Sequence, residues 1–232
     1  MAFGAGNLFS LPHKIEIEVA ESICKMVPCA EMVRFGKNGS DATSGAVRVA
    51  RAYTGRDRIA VCGYHGWHDW YLSANIKNSD NLKPYLLPGL EPNGVPKELK
   101  GTAIPFTYNN FDQLKKIVSN HKIGTIKMEV ARSKQPKDNF LQKVRELATK
   151  NNIVLIFDEC TTGFRESLGG IQKKYRVDPD IMMLGKAIGN GYAITAVLGK
   201  KKIMNSISKT FISSTFWTER IGPTAALKCL EI

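Results

Sequence analysis

Two apolar runs that end in charge set the tightest limits on what this chain can fold into. "IVLIFDE" carries five apolar residues, Ile153 to Phe157, straight into Asp158 and Glu159. "IMMLGK" carries Ile181 to Leu184 through Gly185 into Lys186. Runs without polar interruption suit strands buried on both faces. Strand-like and helix-like segments alternate around them. "EMVRF", "RIAVC", "TAIPF", "GTIKMEV" and "AITAVLG" read as further strands. "KIEIEVAESICKMV", the stretch opened by "NGSDA", "FDQLKKIVSN" and "FLQKVRELATKNN" read as helices. In the first helix Ile15, Val19, Ile23, Met26 and Val27 share one face. Ser40 or Asp41 is the expected N-cap of the second. Such alternation with short connections predicts an α/β domain with a mostly parallel sheet. The span from Ser79 to Lys100, rich in Pro, Gly, Asn and Lys, reads as an exposed excursion.

Composition narrows the class. Hydrophobic residues make up 43% of 232 and charged residues 23%, enough for a core and too ordered a mixture for global disorder. No apolar run approaches the roughly 20 residues that span a bilayer, and the N-terminus lacks the pattern of a secretory signal. The expectation is therefore a cytoplasmic protein without membrane contact. Cys24, Cys29, Cys62, Cys160 and Cys229 contain no C-x-x-C pair, so reduced thiols are expected rather than a zinc or redox site. The net charge of +12 raises nucleic-acid binding. Yet the basic residues are spread along the chain, with short clusters at "GKKK" and "QKK", and no zinc-finger, RRM or KH pattern accompanies them. A basic surface that attracts anionic metabolites is the expected reading, with no nucleic-acid partner.

In parallel sheets, ligands sit beyond the carboxyl ends of the strands. Asp158 ends an apolar strand, where a carboxylate is costly unless it meets a cation or donors. A cap or a structural ion pair would also explain it. Lys186 ends another strand, and desolvation there favours the neutral amine, a nucleophile for aldehydes that can form a Schiff base. Gly185, Gly189 and Gly191 leave room for a bulky ring beside it, although a snorkelling lysine is the plain alternative. Gly39 and Ser40, in "NGSDA", stand where free helix N–H groups attract phosphate, or where an ordinary cap sits. "CGYHGWHDW" crowds Tyr64, His65, Trp67 and His68 behind a strand. The two histidines three apart could be half a metal site, but no partner cluster accompanies them, so no metal is expected. An aromatic plate for a planar ring fits better. A phosphate cradle, an aromatic plate, a buried acid and a Schiff-base lysine together describe one cofactor, pyridoxal 5′-phosphate (PLP).

"GSDATSGAVRVARAYTGRDRI", "YHGWHDW", "IFDECTTGFR", "LGKAIGNGY" and "STFWTERIGPTAAL" resemble the class III aminotransferases of fold type I, particularly the glutamate-1-semialdehyde 2,1-aminomutase branch and its amino-sugar-associated cousins. The resemblance runs over nearly the whole chain. It implies the PLP-binding large domain of a fold type I transferase, an α/β fold with a mostly parallel sheet of the seven-stranded type flanked by helices. It also implies amino-group transfer between small-molecule donors and acceptors, as a transaminase or a 2,1-aminomutase. Lys186 would form the Schiff base and move the proton. Asp158 would bind the pyridine nitrogen, Gly39 and Ser40 the phosphate, and Tyr64 one ring face. Glu129 would stand near the cofactor, and Arg165 would be structural. Thr215 would reach the phosphate at the neighbouring subunit's site, which implies a homodimer. Family members carry a longer N-terminal segment and a C-terminal small domain, so residues 1–232 are expected to be the large domain alone. The alternative is a truncated, non-catalytic PLP-binding or dimerising module. The sequence departs from the family pattern after Glu129, where Val130 replaces the usual proline, at Cys160, where valine is common, and in "WTERIGPT".

Overall fold

The computed structural model of the chain describes residues 11–85 and 91–231. The reading of residues 1–10, and part of the Ser79–Lys100 excursion, lie outside them. All the expected strands form and join one sheet. They are β1 (Met32–Gly36), β2 (Arg58–Cys62), β3 (Ala103–Pro105), β4 (Ile123–Glu129), β5 (Val154–Glu159), β6 (Ile181–Leu184) and β7 (Thr195–Gly199). Their order is β1-β7-β6-β5-β4-β2-β3. β7 runs antiparallel to both neighbours, and the remaining pairs are parallel. The reversal has a simple cause. Residues 185–194 are too few for the crossover of a dozen or more that a parallel neighbour needs.

The helices are α1 (Lys14–Met26), α2 (Gly39–Thr54), α3 (Asp69–Leu72), α4 (Phe111–Asn120), α5 (Phe140–Lys150), α6 (Gln172–Tyr175), α7 (Lys201–Met204) and α8 (Ile221–Leu230). α1 buries Val19 and Ile23, as its apolar face predicts. The cap of α2 differs from expectation. Asn38 is the N-cap: its backbone is extended and its Oδ1 accepts the Asp41 N–H at 2.9 Å. Ser40 and Asp41 are already helical, so neither can cap. α2 stops at Gly55, whose φ of 62° is the left-handed turn glycine adopts without cost.

Helices cover both faces of the sheet. On one face Met128, Phe157, Met182 and Leu184 pack with Ile23 of α1, Leu114 of α4 and Val144 of α5. The other face holds two separate apolar clusters. Ile156, Met183 and Val197 pack with Ala46 and Val49 of α2. Ile59 and Val61 pack with Val47, Trp70 and Tyr71. Leu82 joins this second cluster fully buried, so the expected excursion is pinned to the core near its start. Between the two clusters runs β4. It turns Ile126 and Met128 into the first core and Thr125, Lys127 and Glu129 toward α2, and all five are buried. A polar seam thus divides the core beneath α2 and leads to the carboxyl ends of the strands.

Candidate active site

β2, β4, β5 and β6 end along one edge of the sheet. Glu129 lies opposite Asp158 in register, and Asp158 opposite Met183. Beyond that edge is a cavity of about 320 Å³. Gly39, Ser40, Tyr64, Glu129, Asp158 and Lys186 all line it. Six expected site residues, drawn from five separate segments, therefore meet in one place. Thr215 does not join them. It stands exposed in the turn Thr215–Thr218 and lines a different groove with Val33, Phe35 and Trp217.

Asp158 is the most tightly held of these groups. Its Oδ2 accepts from Lys127 Nζ at 2.7 Å and from His65 Nδ1 at 2.9 Å. Its Oδ1 accepts the Cys160 N–H at 3.2 Å. Burial alone would push this carboxyl up. The Lys127 ammonium and the His65 hydrogen bond outweigh burial and hold it well below the usual carboxylate range. An ionised carboxylate can only accept, so His65 carries its proton on Nδ1. Lys127 has no exposed surface and also donates to Met183 Sδ at 3.1 Å. Neither Lys127 nor this role of His65 was foreseen from the sequence. The available signal was a lone lysine between Ile126 and Met128 in a strand that must lie inside the sheet.

His65 makes the site acid-sensitive. Burial first, and the Lys127 charge second, push it down from 6.5 to about 4 against the pull of Asp158. Below pH 6.5 the unfolded chain takes up a proton here, and the folded chain does not until about pH 4. The stability tied to the neutral ring is complete above pH 6.5 and is lost as pH falls toward 4. That loss is about 3 kcal/mol. Urea denaturation between about pH 7 and pH 4 should show it. A His65→Asn chain should lose correspondingly less over the same range; an unchanged pH dependence would contradict the assignment.

The remaining walls follow from local geometry. Asn38 engages the Asp41 and Ala42 N–H groups. Gly39 and Ser40, the first two residues of α2, are left with N–H groups that no helical carbonyl can reach. Gly66, with φ of 92°, comes so close to this terminus that a Cβ there would lie 2.5 Å from Ser40 Oγ. Tyr64 donates its N–H to Glu129 Oε2 at 3.0 Å, and the residue is 41% exposed. The Arg132 guanidinium lies 5.9 Å from that ring's centroid. Burial pushes the Glu129 carboxyl up, against the Tyr64 N–H and Arg132. Glu159 faces away from the cavity's chemistry. Its carboxylate accepts from Thr162 Oγ1 and from the Ile171 and Gln172 N–H groups, tying the loop after β5 to the strand.

Lys186 departs from expectation in one respect. It is exposed at the rim rather than withdrawn from water, because β6 stops at Leu184 and Gly185 carries the chain outward. Its φ of 46° is left-handed, at a cost of about 1–2 kcal/mol for a residue with a side chain. Its Nζ donates to Thr161 Oγ1 at 2.8 Å. His65 and His68 engage different side chains. His65 turns to Asp158, and His68 Nδ1 contacts Ser44 Oγ at 2.5 Å. Among the described residues no group of three or more His, Cys, Asp or Glu is placed to hold a metal ion. None of their helices is long and apolar enough to cross a membrane.

Comparison with known proteins finds relatives of the chain along nearly its whole length. The 3-aminobutyryl-CoA aminotransferase of Cloacimonas acidaminovorans is 40% identical over 236 residues, covering 98% of this chain and 53% of the relative. The glutamate-1-semialdehyde 2,1-aminomutase of Sulfolobus acidocaldarius is 37% identical over 238 residues, covering 98% of this chain and 55% of the relative. The chain thus spans about half the length of the relatives it matches. An omega-transaminase from Sphaerobacter thermophilus has the same fold, with a TM-score of 0.85 at 28% identity over 99% of this chain and 56% of the other. The FumI protein of Sphingopyxis sp., solved in its PLP internal aldimine form, gives 0.82 at 26% identity over 97% and 53%. Residues 6–232 match the profile of the family described as aminotransferase class-III, and the chain belongs to that family.

Proposed function

We propose that this chain binds PLP in the cavity beyond β4, β5 and β6 and takes part in amino-group transfer on small-molecule substrates, as a transaminase or a 2,1-aminomutase. The observation that carries this reading is the meeting of Asp158, Lys186 and the α2 N-terminus in one cavity of about 320 Å³. The donor set fits the cofactor's parts. The free N–H groups of Gly39 and Ser40 suit a phosphate. The ionised Asp158 suits a protonated ring nitrogen, and the Tyr64 ring suits a planar face. Bound PLP supplies an aldehyde that captures amines and a ring that withdraws electrons from the attached carbon. Lys186 anchors the aldehyde and, as a free amine, moves a proton at the amine-bearing carbon of the substrate. Asp158 holds the proton on the ring nitrogen. Glu129 holds the backbone of Tyr64 and so steadies the aromatic wall.

Residues 1–232 act in this reading as the cofactor-binding large domain. Thr215, exposed and away from its own chain's cavity, serves the phosphate site of a second copy in a homodimer. All five cysteines are unpaired, which accords with a reducing, cytoplasmic setting. The test is turnover. The purified chain, loaded with PLP and offered a panel of amino donors with a keto acceptor, should release a carbonyl product from at least one donor. PLP binding without product from any donor would favour a non-catalytic PLP-binding or dimerising module instead.

A further inference from the structure

Lys127 does not line the cavity, yet it governs the group at the cavity's floor. The ammonium sits at the middle of β4 without solvent contact, between two apolar clusters. Packing does not demand a charge there. A buried ion pair is seldom more stable than apolar side chains of the same volume, and Ile126 and Met128 flank the position. What the charge does do is occupy Asp158. Lys127 and His65 both donate to Oδ2. Oδ1 accepts the Cys160 N–H and keeps a further lone pair. His65 is neutral at ordinary pH, so Lys127 is the cation of this cluster.

We propose that Lys127 is a positioning residue for the ring nitrogen of PLP: it engages Oδ2 of Asp158, leaves Oδ1 with a lone pair to accept from that nitrogen and, by sharing the carboxylate's charge, lowers the ring nitrogen's affinity for its proton. The inference rests on the PLP reading above. A lone carboxylate facing a ring nitrogen stabilises the protonated ring strongly in a buried site. A second cation on the same carboxylate opposes that protonation. The ring nitrogen then keeps its proton through Asp158 but holds it less tightly than it would against a lone carboxylate, and its electron-withdrawing power becomes adjustable by the groups behind Asp158.

The test is the protonation of the cofactor itself. Wild type and Lys127→Met would be reconstituted with PLP carrying ¹⁵N in the ring, and the ¹⁵N chemical shift followed against pH. The titration midpoint of the ring nitrogen should lie at least about one pH unit higher in Lys127→Met, a tenfold change in proton affinity. Lys127→Arg, which keeps the charge, should restore the wild-type midpoint. Affinity for a PLP analogue with carbon in place of the ring nitrogen gives a second reading. Discrimination against it should rise about tenfold in Lys127→Met, because Asp158 then depends on the cofactor for its counter-charge. A merely structural lysine would lower stability and leave both readings unmoved, which overturns the proposal. If Lys127→Met does not fold, Lys127→Gln takes its place with the same expected direction, and an unshifted midpoint in that variant also overturns it. A wild-type chain that shows no bound ¹⁵N signal and no borohydride-trapped cofactor overturns the PLP reading as a whole; an unshifted midpoint in a chain that binds PLP overturns this proposal alone.

Discussion

Replacing Lys186 with alanine is expected to lower turnover of any amine this chain processes by about 10⁴-fold, the upper end of what a positioned acid–base group contributes. The fold should survive the change. Lys186 is exposed, and the hydrogen bond it makes to Thr161 is a rim contact. Alanine at the same left-handed backbone carries no greater strain than lysine does. Stability should therefore move by no more than about 0.5 kcal/mol. The decisive measurement is covalent. Borohydride treatment of the PLP-loaded wild type should add the mass of the reduced cofactor to the peptide that contains Lys186. The alanine variant should gain none. Equal labelling of the variant would mean that another lysine anchors the aldehyde, and the placement of the chemistry at the end of β6 would be wrong.

Asp158→Asn attacks the opposite end of the site and should cost far more stability. The amide keeps the shape of the side chain but removes the charge that balances Lys127. An ammonium left buried without its partner typically costs about 3–5 kcal/mol. Both partners are almost wholly enclosed, so solvent screening does not soften this. Acid dependence gives the same pair a second signature. The folded Asp158 sits below its ordinary value of 3.8, so its contribution is complete above that pH and is lost as pH falls further. The asparagine variant should lack that part of the acid response. A double-mutant cycle isolates the effect. Lys127→Met combined with Asp158→Asn should recover most of the stability lost in either single variant, because no buried charge is left unpaired. Additive losses in urea denaturation would show that the two side chains act independently. Turnover should fall in Asp158→Asn as well, since a neutral amide does not hold a proton on the ring nitrogen.

Much of this architecture was legible because burial on both faces leaves its mark. "IVLIFDE" and "IMMLGK" read correctly as inner strands, and their charged ends marked the edge where the cavity lies. The helix "FDQLKKIVSN" matches α4 residue for residue. Three features were not legible, each for a physical reason. The cap of α2 is Asn38, since backbone conformation and not residue type decides which of several polar residues stands outside the helix. Leu82 is buried although it sits in a stretch with the composition of a loop, because one apolar side chain is enough to tie a segment to a core. Lys127 was passed over because "TIKME" alternates like a strand with one wet face. Alternation reports which residues share a face and says nothing of whether that face meets water. Here α2 covers it, and the alternating residues form an enclosed polar layer.

That layer also constrains how the sheet assembles. Side chains alternate along a strand, so a slip of β4 by one residue against β5 would exchange its two faces. Ile126 and Met128 would then meet Asp158, and Lys127 would be driven among Phe157 and Leu184 with nothing to balance it. A strand with apolar residues on both faces has no such safeguard, because its misaligned forms bury nearly as much apolar surface as the right one. The pairing of Lys127 with Asp158 makes the wrong alignments of the central strands expensive and leaves one alignment free of penalty. The ion pair behind the cavity therefore doubles as the alignment key of the sheet on which the cavity is built.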